Sequence, residues 1–194
     1  YPPALKAIVD SSETPGIHNE IRRWPDYAET SLHSLAGIAS ALNVSHIWYK
    51  DESTRFGLKS FKALGGAYAV AKQIRKVVLS ATEHDPSLSD LLDHRYRNLI
   101  SKLVMTCATD GNHGRSVAWG CRLFGCACVI YVHRDVSAGR AKAMAALGAT
   151  ILRIDGNYDD SIAACIKMAD ENGWQIVSDT SWEGYREIPT QIMA

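Results

Sequence analysis

The chain has 194 residues, 46% of them hydrophobic, enough to bury the core of one ordinary domain or two small lobes. Its 21 basic residues balance 21 acidic ones, so no overall field draws it to nucleic acid or to an acidic membrane surface. No apolar stretch is long enough to cross a bilayer, and the five cysteines form no C-x-x-C pair, so a membrane anchor, a disulfide scaffold and a thioredoxin-like redox motif are not expected.

Residues 1–30 read as irregular, with Pro2, Pro3, Pro15, Gly16 and Pro25 as breakers. The start, Tyr1-Pro2-Pro3, lacks the apolar segment of a secretion signal. Leu32, Leu35, Ile38, Ala39 and Leu42 recur at helical spacing, which predicts a helix over 31–42. A strand is expected at 46–50, a polar loop at 51–57, and a helix up to about residue 78 whose face carries Phe61, Leu64, Tyr68 and Ala71. Residues 80–88 read as a surface loop and 88–100 as another helix.

From residue 103 the pattern becomes regular. Strands are expected at 103–107, 128–132, 150–154 and 174–177, separated by helices at 112–124, 138–147 and 159–172. Alternating apolar strands and helices define an α/β fold, a parallel twisted sheet with helices on its faces. The last residues, Gln191–Ala194, read as the interior of a helix, so the chain is expected to be cut from a longer one. The cysteines sit among apolar neighbours, as in Cys126-Ala-Cys128-Val-Ile, and suit buried positions in a reducing, cytoplasmic compartment.

Two loop-to-helix junctions can carry chemistry. The first is Ser53-Thr-Arg-Phe-Gly-Leu-Lys-Ser-Phe-Lys62. A lysine at a helix start beside Phe61 and Leu64 is poorly hydrated, and the helix N-terminus disfavours its charge. Both effects favour the neutral amine that imine formation needs. A lysine lying along the surface is the plain alternative, and by spacing alone Lys59 is an equal candidate. The second junction is Thr106-Cys-Ala-Thr-Asp110-Gly-Asn-His-Gly-Arg115. Its glycines permit close backbone approach, and amides at the helix start can hold an anion. An ordinary turn with Asn112 or Asp110 as helix cap is the alternative. Neither a dinucleotide fingerprint nor a P-loop is present. The seven histidines show no metal spacing, so no metal is expected. Asp179 follows a strand end at the same sheet edge and could bind a substrate amine or cap a turn.

Lys50-Asp-Glu-Ser-Thr-Arg-Phe-Gly-Leu-Lys-Ser-Phe-Lys62-Ala-Leu-Gly-Gly resembles the lysine segment of pyridoxal-phosphate enzymes of the threonine-dehydratase and tryptophan-synthase-β group, fold type II. Thr109-Asp-Gly-Asn112-His-Gly is similar to that group's Ser-x-Gly-Asn-His loop. The specific forms Arg-Phe-Gly-Leu, Thr-Asp-Gly-Asn-His-Gly and Asp179-Thr-Ser-Trp-x-Gly-Tyr-x-x-Ile-Pro resemble the diaminopropionate ammonia-lyase family, from about residue 27 to the end. The resemblance implies a tryptophan-synthase-β-like fold of which this chain is the N-terminal part. Residues 1–102 would belong to an incomplete larger lobe, 103–185 would form the smaller parallel lobe, and 186–194 would start a cut-off helix.

The same resemblance implies pyridoxal 5'-phosphate as cofactor and α,β-elimination of 2,3-diaminopropionate to pyruvate and ammonia. Lys62 would bind the cofactor covalently and move the Cα proton. Asn112 would contact its phenolic oxygen. Asp110, Gly111, Asn112 and His113 would receive the substrate carboxylate, and Asp179 the amino group. Asp110 would also be a second base, serving the D-isomer. The expected partners are an amino-acid substrate and a second copy of the chain in a homodimer, with no nucleic acid and no membrane. The family's glycine-rich phosphate cup lies in a later part of its chains, and no such loop follows residue 114 here. Weak or absent cofactor binding by this chain alone follows. The alternatives are a serine or threonine dehydratase, and a truncated, non-catalytic lyase fold used as a binding module.

Overall fold

The computed structural model describes residues 14–193. Its sheet is a parallel one of four strands, β3 (Val104–Ala108), β4 (Ala127–His133), β5 (Thr150–Ile154) and β6 (Gln175–Ile176), in the order β5-β4-β3-β6. Every pairing is parallel, as the alternation of apolar runs and helices predicts. The crossovers are α6 (Asn112–Phe124), α7 (Ala138–Ala145) and α8 (Tyr158–Asn172). Each helix has a stop or start written in sequence. Gly125 and Gly173 end α6 and α8 in the left-handed conformation. Asn157 and Asp160 form a capping box at the start of α8.

Ahead of the sheet lie α1 (Thr14–Ile21), β1 (Leu32–Ser34), α2 (Ala36–Ala41), β2 (Trp48–Lys50), a 3₁₀ turn at Arg55–Gly57 and the long α3 (Lys62–Thr82). Two short helices, α4 (Leu88–Leu92) and α5 (Arg97–Ile100), lead into β3. After β6 comes α9 (Glu187–Met193).

Several expectations are corrected here. Residues 14–21 are helical, not irregular, whereas the breakers Pro2 and Pro3 lie outside the described residues. The span 31–42 is not one helix. Leu32–Ser34 pair antiparallel with Trp48–Lys50, and only Ala36–Ala41 are helical. Of the five residues at helical spacing, Leu32, Ile38 and Leu42 are exposed and only Ala39 is buried, so the periodicity was not that of a core face. The helix expected over 88–100 is broken between α4 and α5, where His94 takes a positive φ of 53°. The loop expected from residue 80 starts later, because α3 continues to Thr82 and stops at Glu83 in the left-handed region.

The main core joins the two halves of the chain. Ala67, Val70, Ala71 and Ile74 of α3 and Val117, Cys121 and Phe124 of α6 belong to one buried cluster with Met105, Ile130 and Val177 of the sheet layer. Small residues let α3 and α6 approach closely. A Cβ added at Gly120 would lie 2.9 Å from the Cα of Ala67. The Ser116 hydroxyl of α6 reaches into the first turns of α3, donating to the Ala63 carbonyl at 3.2 Å and accepting the Ala67 amide at 2.9 Å. The start of α3, and Lys62 with it, is thereby fixed against the helix that follows β3. No helix among the described residues is long and apolar enough to cross a membrane. All five cysteines are free, and all but Cys126 are buried.

Candidate functional site

In a parallel sheet the C-terminal ends of all strands lie at one edge, where ligands of α/β proteins normally bind. Here that edge gathers the loop after β3, which carries Asp110 to His113, and the segment after β6, which carries Asp179. Lys62 enters from the first residue of α3. Lys62, Thr109, Asp110, Gly111, Asn112, His113, Arg140, Tyr158 and Asp179 line one cavity of about 280 Å³. Every residue predicted for the site is in it. Lys62 and Asp179 also border a larger cavity of about 670 Å³, which extends toward Tyr27, Tyr68 and Ile192.

The Lys62 Nζ lies 2.5 Å from the Asp179 Oδ2, an ion pair across 117 residues of sequence. The lysine is less shielded than expected. Its side chain is 40% exposed and the neighbouring Phe61 is 64% exposed, so apolar packing does not enclose the amine, which meets Asp179 instead. Lys59 is exposed, has a positive φ of 58°, and lines none of the site, so the structure separates the two lysines that spacing could not.

Burial raises the pKa of the Asp179 carboxyl, but the nearby His113 ring and the Lys62 ammonium outweigh it and leave the group below its ordinary value. Burial lowers the pKa of His113 below its ordinary 6.5, which makes the ring neutral at pH 7. Its Nε2 lies 2.7 Å from the Val177 carbonyl oxygen. A carbonyl only accepts, so the ring proton is on Nε2. The Nδ1 is then a bare acceptor, buried, with no hydrogen-bond partner among the described residues, 3.8 Å from Asp179 Oδ2. With His113 neutral, the lowering of Asp179 falls mainly to Lys62. Two acceptors facing each other at that distance ask for an N–H donor between them.

The loop before α6 is shaped by Thr109, whose hydroxyl accepts the amides of Gly111 at 3.1 Å and Gly114 at 3.2 Å. Neither Asp110 nor Asn112 caps the helix, contrary to the plain reading of that turn. Gly111 stands at the cap position with no side-chain bond and a positive φ of 146°, a conformation open to glycine. The amides of Asn112 and His113 make no hydrogen bond among the described residues. They are donors at a helix N-terminus, suited to an anionic oxygen.

Three residues of the edge were not foreseen. Tyr158, at the start of α8, is bonded through its hydroxyl to Thr180 Oγ1 at 3.1 Å, and burial raises its pKa. Arg140 of α7 runs beside Gly111, with its Cδ 3.3 Å from the Cβ position there. His133, the last residue of β4, has its Nε2 2.9 Å from Asp110 Oδ1. The signal available for all three was position: each sits at or just after the C-terminal end of a parallel strand. Among the described residues no group of three or more His, Cys, Asp or Glu is placed to hold a metal ion.

A lysine at a helix start, a loop with an exposed asparagine and a buried histidine, and a carboxylate, gathered at the open edge of such a sheet, suit a carbonyl cofactor held by an amine. Residues 24–194 match the family model described as pyridoxal-phosphate dependent enzyme, and the chain belongs to that family. Within it the chain is similar to the diaminopropionate ammonia-lyase of Salmonella typhimurium, 41% identical over 172 residues that make up 89% of this chain and 42% of that protein. It superimposes on two structures of the Escherichia coli enzyme of that name. One is in complex with an aminoacrylate–pyridoxal phosphate azomethine reaction intermediate (TM-score 0.81, 36% identity, 94% of this chain and 45% of that one). The other is in complex with D-serine (TM-score 0.84, 36% identity, 94% and 46%). The chain therefore spans a little under half the length of these relatives.

Proposed function

We propose that this chain carries the lysine-bearing half of a pyridoxal-phosphate-dependent lyase that eliminates the β-amino group of 2,3-diaminopropionate, giving pyruvate and ammonia. The observation that carries the proposal is the convergence of Lys62, Asp179 and the Asn112–His113 loop in one cavity. The residues present fit the cofactor. Lys62 is an amine at the cavity wall, the orphaned acceptor on His113 calls for a donor, and the free amides at the start of α6 suit an anion. When bound, pyridoxal phosphate supplies the electron sink for cleavage at Cα.

The chain's own groups divide the remaining work. Lys62 would hold the cofactor, and its Nζ holds or moves a proton. Asn112 would help to hold the cofactor through a hydrogen bond to its ring oxygen. The amides of Asn112 and His113, with Gly111 leaving room, take the substrate carboxylate. Asp179, ionised by its environment, orients an ammonium group between itself and the bare Nδ1 of His113. Asp110, bonded to His133 and not to Lys62, serves as a separate base for the enantiomer whose Cα proton Lys62 does not face. The relative solved with D-serine supports a site that admits a D-amino acid.

The division of the whole enzyme near residue 102, the homodimer and the cytoplasmic location are part of the same proposal. The free, buried cysteines support a reducing compartment. The test is an assay of the enzyme that contains this chain, with released pyruvate or 2-oxobutyrate measured from D- and L-diaminopropionate, L-serine and L-threonine. Diaminopropionate is expected to be turned over with the highest kcat/KM. Faster turnover of serine or threonine would reassign the protein as a dehydratase.

A further inference from the structure

The Asp110 carboxylate is 65% exposed, and a side chain so placed would ordinarily sample several rotamers. It is instead tied to His133, which is only 17% exposed at the end of β4. The tautomer of that ring follows from its other nitrogen. The Asp135 amide N–H donates to His133 Nδ1 at 3.3 Å, which requires a lone pair there. The proton of the neutral ring is therefore on Nε2, and it points at Asp110 Oδ1, 2.9 Å away. The ring is held from the far side by the edge of Tyr158, with centroids 6.5 Å apart. The strand end is held by Arg153, whose Nη1 donates to the carbonyls of His133, Arg134 and Val136 at 2.8–3.1 Å.

We propose that His133 is the positioning residue for Asp110 and makes the Asp110-dependent half of the reaction sensitive to pH. The proposal rests on the reading of Asp110 as the base for the D-isomer. With the ring neutral, its Nε2–H fixes one carboxylate oxygen and leaves the other free to take a proton. Protonation puts a hydrogen on Nδ1, so the Asp135 amide loses its acceptor. The new N–H then faces the Asp135 carboxylate, whose Oδ2 is 3.7 Å away. The other charged or titratable groups around the ring are Arg134, directed to Asp155, Arg153 at the backbone, Arg140 beside Gly111, and Tyr158. Among the described residues, none of them bonds Asp110, whose one hydrogen-bond partner is the Nε2 of His133.

The experiment compares His133→Phe, His133→Gln and Asp110→Asn in the cofactor-loaded enzyme. The kcat/KM for each enantiomer is measured against pH, and the imidazole nitrogens of His133 are read by ¹⁵N NMR. Asp110→Asn should lower D-isomer turnover by about a hundredfold or more, and L-isomer turnover much less. His133→Phe should lower the D-to-L ratio by about tenfold, the effect of one lost charge-assisted hydrogen bond. His133→Gln keeps a donor near the Nε2 position without titrating, so it should restore most of the ratio and abolish the acid limb peculiar to the D-isomer. In the unsubstituted protein the NMR spectrum should show Nε2 protonated and Nδ1 bare. If Asp110→Asn is selective and His133→Phe is not, His133 is a packing residue and the proposal falls while the base reading stands. If Asp110→Asn is not selective, the base reading fails and takes the proposal with it. A ring proton found on Nδ1 overturns the proposal whatever the kinetics.

Discussion

Asp179 meets Lys62 from a segment whose backbone is tied down just before it. Tyr185 does this with one hydroxyl, which accepts the Ser178 amide at 2.8 Å and donates to the Ile176 carbonyl at 3.0 Å. Its ring stacks on Trp182 at 4.0 Å, and burial pushes its pKa well above the ordinary value. Replacing Tyr185 with Phe leaves a backbone amide and a carbonyl without partners beside the site. The expected loss is about 1–3 kcal/mol in urea unfolding, the usual cost of stranding such groups. A change inside about 0.5 kcal/mol, the range of an idle surface substitution, would show that the phenol does not hold this loop. At this scale the sequence was legible where residues act in a local motif. Lys62, Asp110, Gly111, Asn112, His113 and Asp179 all line the cavity. It was not legible where a role depends on a distant partner. The pairing of Asp110 with His133 spans 23 residues and leaves no local pattern, and neither does the edge-on contact of Tyr158 with that ring.

At the scale of elements, β3 and β4 could be read because burial makes them near-continuous apolar runs, and the more exposed β5 and β6 because they alternate with helices and follow Gly148 and Gly173. The region of β1 and α2 could not. Its apolar residues fall at helical spacing, but Leu32, Ile38, Leu42, Trp48 and Tyr49 are exposed, and the antiparallel pairing that overrides helix propensity is a non-local event. The close contact of α3 with α6 yields a sharp prediction. Gly120→Ala gains about 1 kcal/mol of helix propensity. It also places a Cβ 2.9 Å from the Ala67 Cα and 3.3 Å from the Val70 Cβ, which forces the helices apart at a cost of about 1–3 kcal/mol. The clash should win, so the variant is expected to unfold at lower denaturant concentration. A stabilised variant would mean that the helices have slack at this crossing. Because Ser116, one turn earlier on α6, sets the start of α3, loosening the crossing should also loosen Lys62.

For the whole molecule, one core cluster runs from α3 through α6 to the sheet and ties the helix that carries Lys62 to the sheet whose edge carries the facing loops. The surface around β1, α2 and β2 is different. A two-stranded sheet with exposed apolar side chains is marginal by itself and is normally covered. The diaminopropionate ammonia-lyase of Salmonella typhimurium is more than twice as long and carries chain beyond the matched span. The central claim is that Lys62, entering this sheet edge from α3, is the residue that holds the cofactor. It is tested most directly by reducing the cofactor-loaded enzyme with borohydride and mapping the pyridoxyl group by peptide mass spectrometry. The account predicts the label on Lys62, with none on Lys59 three residues earlier. Label on Lys59, or on any lysine outside this cavity, would contradict it.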